Sequence, residues 1–294
     1  MLGYIYFASV LVAASATSLT DCCTGRSITL EARIPLNTTG QDVDQGVLPF
    51  SPTSVLGQNQ TFAEVLKFPT IPPSLNDGTQ YKAVEVTLND NSIFAPSATN
   101  KQTGFRRTEL LPQNNAIPVN ASTSGVQMWH LSVRRDESRQ LNYSHEYYLF
   151  WLESRDFSHN QFILGTGTLF GDGNNKTTAE EAEQLWLRSN DAEPQRTIWK
   201  TPFANGVWHN VALLLDFSQN VLQVYYSIDN EELVPQGGAV ANDLTGNGQF
   251  HIGLLKKPTG VNLTDITKQG FQESGIDEGI IFGGAFEEAY NRGL

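Results

Sequence analysis

The sequence predicts an all-β protein, a two-sheet antiparallel sandwich of the jelly-roll kind, on three observations. Short runs of alternating or continuously apolar residues recur along the chain, turn-forming residues separate them, and helical periodicity is scarce. A chain of 294 residues can bury a core large enough to stand without covalent staples.

Taken in order, the runs Lys82–Leu88 and Val126–Val133 alternate as half-buried strands do. Tyr147–Leu152 is aromatic and aliphatic throughout, which fits a strand inside a thick sandwich rather than one facing solvent. Val207–Phe217 and Val221–Ile228 flank the short turn Ser218-Gln219-Asn220 and read as a hairpin. Phe250–Leu255 and Gly279–Phe286 complete the set. The one helix expected is Thr177–Leu187, with Thr178 as its cap and Glu180 and Glu181 in its first turn. No linker, repeat or low-complexity tract divides residues 17–294, so one domain is expected.

Residues 1–16 read as a secretory signal peptide: an apolar run closing on Ala14-Ser15-Ala16, too short to span a bilayer. Export would expose six N-x-S/T sequons to glycosylation, at Asn37, Asn59, Asn120, Asn142, Asn175 and Asn262. The two cysteines, Cys22 and Cys23, are adjacent and cannot tie distant parts of the fold together. A net charge of −12 and a pI near 4.8 argue against nucleic acid and against an anionic polymer. They suit a neutral substrate. No membrane partner, metal or cofactor is expected, and the chain is expected to act as a monomer.

Arg106-Arg107-Thr108-Glu109-Leu110 plants a charged pair in a strand pattern. Side chains two apart share a face, about 6.6 Å apart, so Arg107 can orient Glu109 and hold it ionised. In Glu146–Glu153, parity puts Tyr147, Leu149, Trp151 and Glu153 on one face and Glu146, Tyr148, Phe150 and Leu152 on the other. The first set mixes aromatics with an acid, as a sugar cleft requires, because pyranose C–H faces stack on rings while acids bind hydroxyls. The second set resembles a core. In Val126–Val133, Trp129 and Leu131 suit the core, leaving His130 for a cleft. His251 opposes Phe250, Ile252 and Leu254 in parity and is a further cleft residue; His209, opening a strand after Trp208, reads as structural. No G-x-S-x-G elbow, phosphate loop, H-E-x-x-H motif or Cys-rich metal spacing occurs.

Five segments in order carry a resemblance: FRRTEL (Phe105 to Leu110), LNYSHEYYLFWLE (Leu141 to Glu153), TPFANGVWHNV (Thr201 to Val211), QFHIGLLKKP (Gln249 to Pro258) and GFQESGIDEGIIFGGAF (Gly270 to Phe286). Together they resemble the fungal glycoside hydrolase family 131 β-glucanases. The resemblance implies a jelly roll with an open cleft on its concave sheet, and hydrolysis of β-1,3, β-1,6 and β-1,4 glucans without a cofactor. It implies a cleft lined by an arginine, two glutamates and a histidine. Arg107 and Glu109 match the first pair. Glu153 or Glu146 matches the second glutamate, parity favouring Glu153, and His251 matches the histidine with His209 in reserve. Trp151, Tyr147 and His130 are the further candidates for holding sugar. Glu109 is the candidate base and Glu153 the candidate acid, with inversion expected; the two roles can be exchanged. R-T-E-L also resembles an arginine–glutamate motif of jelly-roll alginate lyases, whose Q-x-H partner is not matched by Gln127–His130. A non-catalytic glucan lectin is the other alternative.

Overall fold

The strands pair because their apolar residues recur on faces that only two stacked sheets can bury together. A computed structural model describes residues 27–47, 49–51, 55–112, 121–171 and 177–290; the signal peptide, both cysteines, Asn120 and Asn175 lie outside the described residues. A nine-stranded antiparallel sheet runs Val234–Pro235, Val221–Ile228, His209–Asp216, Val126–Arg135, Asp277–Ala289, Val84–Asn89, Leu66–Lys67. Ile28–Glu31 adds to Asp277–Ala289, and Val240–Ala241 to Val221–Ile228. A six-stranded sheet runs Thr197–Pro202, Gln184–Arg188, Asn160–Gly167, Glu146–Glu153, Gln249–Lys256, Arg106–Leu110. This is the expected all-β sandwich of antiparallel sheets.

The core between the sheets is aromatic. Trp129 of the nine-stranded sheet packs 5.1 Å from Phe150 and 4.8 Å from Phe250 of the six-stranded sheet, and the two phenylalanines stack at 5.9 Å. Such offset and tilted pairs suit the ring quadrupoles.

Two expectations need correction. The helix expected over Thr177–Leu187 is a single turn, Ala179–Ala182. Thr178 does cap it, in a box with Glu181, but Gln184–Arg188 continues as a strand paired on both sides. Alternation of Leu185 and Leu187 with Gln184, Trp186 and Arg188 is a two-residue period, and that period prevails. The strict parity of Glu146–Glu153 also fails. Pairing with Asn160–Gly167 shifts between Tyr148 and Phe150, so Leu149 and Phe150 both enter the core. Before this bulge the core side is odd-numbered (Tyr147, Leu149), and after it even-numbered (Phe150, Leu152).

Candidate active site

The outer face of the six-stranded sheet collects the charged residues singled out by sequence. Register sets Glu109 beside Gly253, Gln249 beside Glu153 and His251 beside Trp151. Gly253 matters here because a side chain would strike the backbone of Thr108 and Glu109, so only glycine lets these strands approach. Across that gap the His251 ring reaches both carboxyls. Its Nδ1 lies 2.7 Å from Glu109 Oε2 and its Nε2 lies 3.2 Å from Glu153 Oε2. Arg107 grips Glu109 with two parallel bonds, Nε to Oε1 at 2.5 Å and Nη2 to Oε2 at 3.0 Å. Arg107, Glu109, His251 and Glu153 thus form one continuous charged chain.

Burial grades this chain. The Glu109 side chain is wholly buried, whereas that of Glu153 keeps 22% of its surface exposed. Burial by itself would push the Glu109 carboxyl up, but the Arg107 charge and the His251 bond outweigh it and hold the group below its ordinary value. For His251 burial disfavours the charge, and bonds to Glu109 and Glu153 more than restore it, so the imidazole is held above its ordinary value. The imidazole thus stands between the two carboxyls, with one ring nitrogen towards each.

Residues that sequence did not single out complete the surroundings. Gln102 accepts a bond from Arg107 Nη1 at 3.0 Å, and Arg107 lies 5.5 Å over Phe94. Neither carried a signal, since both come from a loop outside the strand pattern. Tyr148, with Phe105, Ile163, Trp186 and Leu255, forms an apolar floor around Trp151 on this face. The bulge brings Tyr148 there.

The other candidates separate from the site. Tyr147 points into the sandwich, where its hydroxyl donates to Glu278 Oε2 at 2.9 Å; the expected place in the cleft is overturned by the bulge. Glu146 lies at the opposite end of its strand from Glu153, roughly 20 Å away at the usual rise. Its carboxylate accepts from the Phe170 N–H and from Lys257 Nζ. His130 lies on the other sheet, stacked on Phe286 at 4.5 Å and 3.1 Å from Glu288, and so does not face this cleft. Parity put it opposite the core correctly, but that face belongs to the wrong sheet. His209 is interior, with Nδ1 2.8 Å from the Tyr226 hydroxyl and Nε2 3.2 Å from the Ala204 carbonyl, and burial lowers its pKa. Trp151 is on the site face but almost wholly buried, with His251 against one side of its indole. Asn37, Asn59, Asn142 and Asn262 are exposed.

No three-residue cluster with metal-ligating geometry occurs among the described residues, and no helix among them is long and apolar enough to cross a membrane.

Comparison with known proteins bears on the fold and the family. No curated protein matches the chain. Among solved structures, the catalytic domain of a GH131 β-glucanase from Podospora anserina is similar at 18% identity and a TM-score of 0.69, covering 90% of this chain and 97% of that one. The catalytic domain of a glycoside hydrolase family 131 protein from Coprinopsis cinerea is similar at 18% identity and a TM-score of 0.66, covering 90% and 95%. At that identity the likeness establishes the fold. The model of the glycoside hydrolase 131 catalytic N-terminal domain matches residues 28–293, so the chain belongs to glycoside hydrolase family 131.

Proposed function

We propose that this glycoside hydrolase is exported and cleaves β-glucans, accepting β-1,3, β-1,6 and β-1,4 linkages, with Glu109 and Glu153 as its working carboxyls. The observation that carries the reading is the His251 bridge between the two, 2.7 Å from one and 3.2 Å from the other. Hydrolysis breaks the bond from the anomeric carbon to the leaving oxygen and forms a new one to water. One carboxyl protonates the leaving oxygen, and the other accepts the proton that water loses. Glu153, open to the outer face, meets the leaving oxygen as acid. Glu109 stays ionised as base; sealed from solvent, it takes the water proton through the neutral form of His251, whose Nε2 accepts from water as its Nδ1–H passes to Glu109. The imidazole then carries the proton back to Glu153 and resets the site.

An imidazole between the carboxyls, with contacts of 2.7 Å and 3.2 Å on its two sides, fits the wider spacing of inverting enzymes better than the about 5–5.5 Å of retaining ones. Neutral glucan also suits a chain of net charge −12 better than a uronate polymer does. Similarity to the Podospora anserina β-glucanase domain supports the substrate class.

The test is reducing-end release from laminarin, barley mixed-linkage glucan and carboxymethyl cellulose by wild type, Glu109→Gln and Glu153→Gln. Release by wild type alone is expected, with the anomeric configuration of the first product inverted. Products absorbing in the ultraviolet would make it a lyase. Binding that survives in all three proteins without any release would make it a lectin.

A further inference from the structure

The apolar floor of the site face does not stop at the charged chain. Trp151, Ile163 and Trp186 belong to one cluster that crosses the sheet toward its far edge. Gly165 is what lets Trp186 lie across its neighbour. A Cβ there would sit 2.4 Å from the indole Cη2 and 2.3 Å from the Tyr147 carbonyl. Above this indole is a groove of about 290 Å³, lined by Leu169, Gln184, Trp186, Thr197 and Lys200 among others. The Trp186 N–H is buried with no hydrogen-bond partner. A buried donor left unpaired costs about 1–3 kcal/mol, and native proteins retain few of them without a reason.

The lining has the mixed character that carbohydrate recognition needs: an indole and a leucine for C–H faces, an amide and a hydroxyl for sugar hydroxyls. Its charges balance, since Lys200 lies 3.7 Å from Glu181 at the rim. Nothing in it selects for an anion. Glu153 stands two inter-strand steps from Gln184–Arg188, about 10 Å at about 4.8 Å each, and its partner Asn160 lies five residues from Gly165, the partner of Trp186, which adds about 16 Å along the strands. Only an oligosaccharide of several units can occupy both this groove and the carboxyls.

We propose that the Trp186 groove is a remote subsite for a neutral glucosyl unit, through which the protein recognises the length of a glucan chain. The inference rests on the hydrolase reading above. Binding energy gained far from the reacting bond can be used to orient that bond, so chain length raises kcat/KM rather than occupancy alone.

The experiment compares gluco-oligosaccharides of two to seven units on wild type, Trp186→Ala and Thr197→Trp. Thr197 is exposed, so its replacement fills the groove without disturbing the core and covers the case in which Trp186→Ala fails to fold. In wild type kcat/KM climbs with length. In Thr197→Trp the ratio of the longest to the shortest substrate falls about tenfold, the worth of one aromatic–sugar contact. An unaltered ratio, or an equal loss at every length, overturns the subsite. If wild type releases nothing from any length, the hydrolase reading fails instead, and calorimetric binding of the same oligosaccharides decides the groove. Equal affinity of wild type and Thr197→Trp for the longest chain, or no binding at all, overturns it there.

Discussion

The imidazole of His251 lies flat on the indole of Trp151, centroids 4.8 Å apart and planes 10° apart. Against a ring held above its ordinary pKa, this is a cation–π contact worth about 0.5–2 kcal/mol to the protonated form. Trp151 therefore sets the height and charge of His251 rather than offering an open platform to sugar. Replacing it by Leu is expected to lower kcat, to leave KM for glucan within about twofold, and to move the basic limb of the pH–rate profile down. Steady-state kinetics across pH checks this; a raised KM with kcat intact would make Trp151 a sugar platform after all.

Glu109→Gln removes the carboxylate that both Arg107 and His251 depend on. A buried guanidinium then loses its partner, a loss of about 3–5 kcal/mol in stability. The pH dependence follows from opposite shifts. Glu109 is held low, so its contribution is complete above the ordinary carboxyl value of 4.5 and is lost as pH falls through the lowered one. His251 is held high, so its contribution is complete below the ordinary value of 6.5 and is lost as pH rises through the raised one. Both act together between those two ordinary values. The wild-type unfolding midpoint should peak in that window, and the peak should flatten in Glu109→Gln. Calorimetric scans from acid to alkaline pH that showed the same peak in both proteins would refute the coupling.

How far the sequence reveals this site depends on how local each signal is. Arg107 and Glu109 are two apart on a regular strand, and His251 faces away from Phe250, Ile252 and Leu254 in an alternation that the structure keeps. Those placements follow from a period of two, as does the sandwich itself. The side of Glu153 relative to Trp151 is legible for the same reason, since both follow the bulge. Tyr147 and Tyr148 precede it, and nothing in LNYSHEYYLFWLE marks an extra residue, so parity assigns each to the wrong side. His130 shows a second limit, because alternation tells which residues leave the core but not which sheet they belong to. Gln102 and Phe94 reach Arg107 from a loop whose path is set by tertiary contacts such as Gly104 N–H to the Thr267 carbonyl.

The displaced tyrosine gives a direct check. Tyr147→Phe deletes a hydroxyl that donates to Glu278 at 2.9 Å inside the sandwich and touches nothing on the site face. A bond to a charged acceptor is worth about 1.5–3 kcal/mol, so a stability loss of that size is expected with kcat/KM on glucan unchanged. Chemical denaturation and steady-state rates measured on one preparation test both halves. A fall in kcat/KM without a loss of stability would return Tyr147 to the cleft.

Lys256 offers the sharpest test of what locks the two sheets together at this end. Its wholly buried Nζ lies 2.7 Å from Glu278 Oε1 of the nine-stranded sheet and 2.5 Å from Glu273 Oε1. Glu273 is drawn down to about 2, chiefly by the bonds from Lys256 and Asn142 working against burial. Glu278 is held above its ordinary value because burial exceeds the pull of Lys256. Lys256→Met leaves two carboxyls facing each other without their cation, and a broken buried pair of this kind loses about 3–5 kcal/mol. The deficit should shrink as pH falls, since Glu278 already takes up its proton more readily than an ordinary glutamate and a neutral acid needs no partner. Adding Glu278→Gln to Lys256→Met should recover much of the loss at neutral pH, because replacing both members of a buried pair by neutral groups removes the uncompensated charge. Urea midpoints for the single and double variants at neutral and acid pH give the answer. If Lys256→Met matches wild type at neutral pH, or if the double variant is no better than the single, the ion pair is not what holds the sheets together there, and aromatic packing of Trp129 against Phe150 and Phe250 carries that role alone.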